Sequence, residues 1–341
     1  MPAPPTMRAA FFDGIRSLNV RETAVPDPAA GADDVRLRVL ACGICGSDLT
    51  LYKTGALSGP DVILGHEIVG VVDLDPSGVW AEGTTVCVYP AGRGCGACVW
   101  CREGRFRYCV NPPADARGHG GGFAEYLVAP ASSLLPVPEG VDALAAALAE
   151  PFGVAIRAVE LAGATPGDFA YVQGLGPIGL LVVAALTVAG CRVVGSDPRA
   201  DRRALALEQG AEEAFDPEAR DPQAVLWDRD PKGPRLAFEC SGVPEALQQV
   251  FDACGPGGVV GILGIPLAPA FLLRMTLKEL RAFSIQGPTF DSMRLALGVL
   301  RERPAVARVA TDTVALNGAA EAFEALSSGG GGAKVLVEPD R

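Results

Sequence analysis

The chain has 341 residues, 49% of them hydrophobic, and a formal charge of -11, enough for one or two ordinary domains with well-filled cores. The acidic balance argues against nucleic acid or an anionic membrane as the main partner, and no run of about twenty apolar residues is present to span a bilayer. The opening MPAPPTMRAAFF lacks the basic head and apolar core of a secretory signal, so the ten cysteines are expected to stay reduced in a cytoplasm.

Up to about Pro151 the texture is that of an all-β barrel, with short β-rich pieces such as Val35 to Leu40 and Thr85 to Tyr89 broken by frequent Gly and Pro. Within it, Cys45, His66 and Glu67 offer a thiol, an imidazole and a carboxylate from separate segments, and Glu150 adds a carboxylate expected near a cleft between domains. Such a mixed set suits a zinc ion that keeps an open coordination position for a substrate oxygen. Taken singly, each has a plainer role: Cys45 as a small core residue, His66 as a hydrogen-bonded turn residue, Glu67 as surface charge.

Cys95, Cys98, Cys101 and Cys109 follow, four thiols within fifteen residues. Their C-x2-C-x2-C-x7-C spacing suits a closed, all-thiolate Zn²⁺ site, a structural staple with no room for substrate. His119, in the glycine-rich stretch after Arg117, reads as a loop residue, with substrate contact as the alternative.

Beyond Pro151 the pattern changes to alternating strands and helices, expected to form a doubly wound parallel sheet. Ala170 to Val172 reads as a strand running into Gly174, Gly176, Pro177, Ile178 and Gly179, then a long apolar helix to Ala189, a second strand at Arg192 to Gly195, and Asp197. Strand, glycine turn, helix, strand and acid is the order of a dinucleotide-binding unit. Gly174 would allow the tight turn, Gly176 the approach of a pyrophosphate, and Gly179 close helix packing. Asp197, 21 residues beyond Gly176, would accept hydrogen bonds from ribose hydroxyls and repel a 2′-phosphate, favouring NAD over NADP. Arg199, Arg202 and Arg203 read as a solvated helix face, with Arg202 kept as a candidate cofactor contact. Further strands are expected at Leu236 to Glu239, Val259 to Leu263 and Ala282 to Gln286, and Ser327 to Gly332 reads as a flexible turn.

Together, Gly43 to Asp48, Gly65 to Glu67, the four clustered cysteines, Gly122 to Tyr126, Glu150-Pro151 and Gly174 to Gly179 resemble the zinc-dependent medium-chain alcohol and polyol dehydrogenases, the family of sorbitol and threonine dehydrogenases. The resemblance implies a GroES-like catalytic domain over residues 1–150 and 290–341, completed by a returning strand at Ala333 to Val337, and a Rossmann domain over 151–289. It implies two zinc ions per chain, with Cys45 and His66 as catalytic ligands and Glu67 and Glu150 as carboxylates of which one binds directly. Cys42 lies outside the ligand position and reads as a buried structural thiol, while Asp48 matches the carboxylate that orients the ligand histidine.

The implied reaction moves a hydride between NAD(H) and a secondary alcohol or ketone, with zinc as Lewis acid and Ser47 accepting the alcohol proton. Where many members of the family carry a histidine three residues after that hydroxyl, this chain has Thr50. Protons are therefore expected to leave through Thr50 and water, with a steeper dependence on buffer or pH. Tyr52 and Lys53 are candidate contacts to a polar substrate, and residues 45–52 show a local likeness to aminocyclitol dehydrogenases. A polyol, cyclitol or amino alcohol is the expected substrate. The alternatives are a simple alcohol or a non-catalytic zinc- and nucleotide-binding role. A homodimer or homotetramer, paired through Ala282 to Gln286, is expected by resemblance.

Overall fold

The computed structural model describes residues 3–28, 33–55, 60–103, 105–112, 120–265 and 272–341. His119 lies outside them. The described residues form two compact units, Met1–Glu150 with Ala310–Arg341, and Pro151–Val309. No helix among them is long and apolar enough to cross a membrane.

In chain order the first unit contains β1 (Thr6–Gly14), β2 (Ser17–Ala24), β3 (Asp34–Gly43), α1 (Gly46–Thr54), β4 (Val62–Ile63), β5 (Glu67–Leu74), β6 (Thr85–Val88), α2 (Val99–Arg102), β7 (Tyr126–Pro130) and β8 (Leu134–Pro136). Helix α3 (Ala149–Leu161) follows, beginning at the boundary between the units.

The second unit continues with β9 (Phe169–Gln173), α4 (Pro177–Val188), β10 (Arg192–Ser196), α5 (Ala200–Glu208), β11 (Glu213–Phe215), α6 (Pro222–Arg229), β12 (Leu236–Glu239), α7 (Pro244–Ala253), β13 (Val259–Ile262), α8 (Leu273–Lys278), β14 (Arg281–Ser284) and α9 (Phe290–Glu302). The chain then returns to the first unit with β15 (Ala310–Ala315), α10 (Ala319–Ser327) and β16 (Lys334–Glu338).

In the first unit, β3 is the hub, paired with β5, β7 and the returning β16. Alternation along the strands sends Val35, Leu37 and Val39 of β3 and Val335 and Val337 of β16 into one apolar core with Phe12, Phe123 and Phe323. The chain's last strand therefore completes a sheet begun near its start. The sequence reading placed that return at residue 290, whereas the structure places it at Ala310. Helix α9 explains the difference: it buries Met293, Ala296, Leu297 and Leu300, and the 3-10 turn that follows it, Pro304–Val309, packs on α4 of the second unit.

The second unit is a parallel sheet with strand order β11-β10-β9-β12-β13-β14 among the described residues. Numbered within the unit this is 3-2-1-4-5-6, whose order reverses between β9 and β12, the place where such folds receive a dinucleotide. Strand β14 is the open edge of the sheet and is largely exposed.

Candidate active site

The catalytic-zinc candidates meet because β16, β3 and β5 lie side by side. Gly43, last in β3, is opposite Glu67 of β5 on one side and Leu336 of β16 on the other. A side chain at residue 43 would run into the Glu67 carboxylate, so glycine there makes room for the acid. Two residues on, Cys45 caps α1 from an extended conformation, and its backbone N–H donates to Asp48 Oδ2 at 3.0 Å. The other carboxylate oxygen of Asp48 is 3.5 Å from His66 Nδ1. One buried acid thus braces the thiol's backbone and orients the imidazole.

Cys45, His66 and Glu67 each bring a ligand atom within 4.8 Å of the other two. A thiolate, an imidazole and a carboxylate, with His66 still 32% exposed, fit a zinc site that leaves a coordination position open. Burial lowers the pKa of His66, but Asp48 and Cys45 outweigh it and hold the ring well above the ordinary histidine value. The charge pattern is that of a site preparing for a cation. Glu150, buried at the start of α3, stands outside this three-residue set. Burial raises its carboxyl to about 7, with Glu67 adding to the rise and His66, Lys334 and Arg107 opposing it.

Lys334 was not anticipated. It is 2% exposed, and its ammonium donates to Glu67 Oε1 at 2.5 Å and to the Ile44 carbonyl at 2.8 Å. Its pKa is raised: burial lowers it, and Glu67 and Cys45 more than compensate. The available signal was a single charge in the apolar run Ala333 to Val337, on the strand face opposite Val335 and Val337.

Cys42 is fully buried in the core, and burial together with Asp48 and Glu67 raises its thiol well above the ordinary value. Ser47 is exposed on the first turn of α1, and the Thr50 hydroxyl donates to the Gly46 carbonyl at 3.0 Å. Tyr52 points inward. It is 4% exposed, its ring packs edge-on against Phe323 with centroids 5.4 Å apart, and its hydroxyl reaches the Arg16 carbonyl and Glu324. Helical spacing puts residue 52 on the same inward face as Leu51 and Asp48, while Lys53 is exposed.

The second thiol cluster is equally well formed. Cys98 Sγ is 3.4 Å and Cys95 Sγ 3.9 Å from Cys101 Sγ, close to the roughly 3.8 Å edge of a tetrahedron with 2.3 Å zinc–sulfur bonds. Backbone N–H groups of Cys101 and Val110 draw the Cys98 thiol down to about 6, while burial and the neighbouring thiols push that of Cys101 up to about 12, so without a metal the sulfurs share protons. Four convergent sulfurs fit zinc as a closed site.

In the second unit Gly174 has φ of 86°, and a Cβ there would lie 2.6 Å from the Ser241 nitrogen. Gly176 caps α4 with open space before it, Pro177 and Ile178 begin the helix, and a side chain at Gly179 would strike the Gly174 carbonyl. Asp197 closes the loop: its carboxylate accepts from Leu175 N at 2.8 Å and Arg199 N at 2.9 Å. The three arginines are not one solvated face. Arg202 is 6% exposed, Arg199 pairs with Asp201, and Arg203 donates to the carbonyls of Asp197 and Pro198. Position 202 points inward because α5 packs on α4 and β11, which sequence spacing alone did not reveal.

Comparison with known proteins agrees with this anatomy. Residues 31–139 match the alcohol dehydrogenase GroES-like domain, and residues 177–302 match the zinc-binding dehydrogenase domain. The chain is 36% identical over 254 residues to an L-threonine 3-dehydrogenase of Pyrococcus horikoshii, covering 72% of this chain and 71% of the relative. It is 32% identical over 277 residues to a sorbitol dehydrogenase of Bacillus subtilis, covering 77% and 76%. A zinc-binding dehydrogenase structure from Sinorhizobium meliloti 1021, bound to NADP, superposes with a TM-score of 0.86 at 32% identity over 98% of this chain and 100% of that one. The chain belongs to the zinc-dependent medium-chain alcohol and polyol dehydrogenases, oxidoreductases that act on alcohols.

Proposed function

We propose that this protein is an NAD-dependent dehydrogenase of a polar secondary alcohol, a polyol, cyclitol or amino alcohol, with one catalytic and one structural zinc per chain. The observation that carries the proposal is the convergence of Cys45, His66 and Glu67 around an accessible position in a chain that also keeps the dinucleotide loop. Zinc held there supplies a Lewis acid for the substrate oxygen, and a bound nicotinamide supplies the hydride acceptor. Asp48 fixes the ring of His66, Lys334 holds Glu67, and Ser47, two residues past the thiol, takes the substrate proton. A spectrophotometric screen of NAD reduction over polyols, cyclitols, amino alcohols and simple alcohols tests the reading. No turnover with any class by protein carrying two zincs would refute it, and turnover confined to simple hydrophobic alcohols would refute the substrate class.

The Thr50 hydroxyl can relay a proton only by giving up its bond to the Gly46 carbonyl, and it cannot store the proton near neutral pH. Replacing Thr50 by His is therefore expected to flatten the pH and buffer dependence of turnover. An unchanged profile would remove position 50 from the relay.

The preference for NAD rests on Asp197. Its carboxylate is fixed by two backbone N–H groups at the end of β10, where a 2′-phosphate would meet its negative charge. Arg199 and Arg203, committed to Asp201 and to backbone carbonyls, support the same reading. The Sinorhizobium structure holds NADP, which makes position 197 the residue to test. Asp197→Ser should lower the ratio of kcat/KM for NAD over NADP by about 10-fold or more, about 1.4 kcal/mol. An unchanged ratio would assign the choice of cofactor elsewhere.

Two further readings belong here. All ten cysteines are free, in keeping with a reducing cytoplasm. The exposed strand β14, an edge of the sheet among the described residues, offers a row of backbone groups through which a second copy would extend the sheet, giving a homodimer or homotetramer.

A further inference from the structure

The end of β12 carries a buried acid that neither zinc site uses. Glu239 is 0% exposed and is the last residue of the central strand beside β9. Its Oε1 accepts three hydrogen bonds from the following turn: Ser241 N at 2.6 Å, Ser241 Oγ at 2.5 Å and Gly242 N at 2.9 Å. Ser241 Oγ in turn accepts from Val243 N at 3.0 Å, at the cap of α7. The other oxygen, Oε2, is buried without a hydrogen-bond partner among the described residues and lies where a side chain at Gly264 would stand. The backbone carbonyl of the same residue accepts from Leu263 N and Gly264 N at the exit of β13. One residue therefore ties together the exits of two adjacent strands at the C-terminal edge of the sheet.

That turn is a wall of the glycine loop. The space a side chain at Gly174 would need is taken by Ser241, whose N, Cβ and Cα lie 2.6, 2.7 and 2.8 Å from the position of that missing Cβ. The backbone between them is joined by Cys240 N donating to the Gln173 carbonyl at 2.8 Å. Where Ser241 sits thus decides the shape Gly174 can take, and Glu239 holds Ser241. Gln173, the neighbouring polar residue on β9, is already committed to Tyr171 and Gln249, so it offers no substitute acceptor. A charged acceptor serving three donors in a buried place is worth more than the same bonds in water.

We propose that Glu239 is a positioning residue for the dinucleotide: it fixes the Ser241–Gly242 turn against Gly174 and so presets the glycine loop for the cofactor, at the expense of leaving Oε2 unpaired. The inference rests on the reading that this loop takes a nicotinamide dinucleotide. It acts on cofactor affinity, through the loop, and leaves zinc untouched.

The test is titration of protein fluorescence with NADH for the zinc-loaded parent and three variants, beside steady-state kinetics with NAD. Glu239→Ala should weaken NADH binding about 10-fold or more and raise the KM for NAD in step, with kcat changed by less than about 3-fold and zinc content unchanged. Glu239→Gln keeps a carbonyl acceptor for the turn and should stay within about 3-fold of the parent, a rescue that loss of folding would not show. Ser241→Ala, at an exposed position, removes one of the three bonds, together with the bond from Val243 N, without risk to the core and should weaken NADH about 2-fold to 4-fold. NADH binding by Glu239→Ala within 2-fold of the parent would overturn the inference. If that variant does not fold, parent-like affinity in Ser241→Ala would overturn it instead. A parent that binds neither NADH nor NADPH overturns the cofactor reading and this inference with it, whereas a binding parent with equal variants overturns this inference alone.

Discussion

His66→Ala is expected to leave a folded protein with one zinc per chain in place of two and turnover lower by about 10³-fold, several kcal/mol of lost Lewis-acid stabilisation. The reasoning is geometric. His66 is one of only three donors gathered within 4.8 Å among the described residues, and the tilt of its ring is set by Asp48 at 3.5 Å. With the ring gone, Cys45 and Glu67 remain as a two-point site whose acid already has a partner in Lys334, a poor competitor for zinc. The clustered cysteines belong to a separate lobe closed by its own sulfurs, so their ion should stay. Metal analysis by plasma mass spectrometry and a single-substrate rate decide the matter together. A His66→Ala protein that keeps two zincs, or keeps more than a tenth of parent turnover, would show that the chemistry is elsewhere.

Motifs carried by consecutive residues were legible in the sequence, and contacts made across strands were not. The four cysteines, the glycine loop with Asp197, and the pairing of His66 with Glu67 lie in short segments whose spacing expresses the chemistry directly. Lys334 lies 267 residues from its partner Glu67, and only the pairing of β16 with β3 brings the two together. The burial of Tyr52 and Arg202 was hidden for a related reason. A polar residue near a site motif suggests contact with a ligand, yet both side chains are buried: Tyr52 on α1 packs towards α10, which is distant in sequence, and Arg202 lies on α5 where it packs on α4 and β11. The position of the chain's return was obscured likewise. Helix α9 has the apolar stripe of any surface helix, and nothing in that stripe says which unit it covers.

Lys334→Met is expected to destabilise the metal-free protein by about 3–5 kcal/mol, the usual cost of removing one partner from a buried ion pair and leaving the other charged. Glu67 is 1% exposed and Lys334 2%, so neither charge has solvent to fall back on. Gly43 permits the close approach but provides no side chain to replace the lysine. The same substitution should cost less in the loaded protein. A Glu67 released from Lys334 is free to give its full charge to a cation beside Cys45 and His66, so zinc should recover much of the missing stability. The shift in Tm between chelator-treated and zinc-replete protein should therefore be larger in Lys334→Met than in the parent. Adding Glu67→Gln to Lys334→Met removes the orphaned charge, and the double variant should regain most of the metal-free stability, since replacing both members of a buried pair is close to neutral. Differential scanning calorimetry of the parent, Lys334→Met, Glu67→Gln and the double variant, each with and without zinc, completes the cycle. Equal Tm shifts in parent and Lys334→Met would mean that Lys334 braces the sheet alone and does not govern how Glu67 meets the metal.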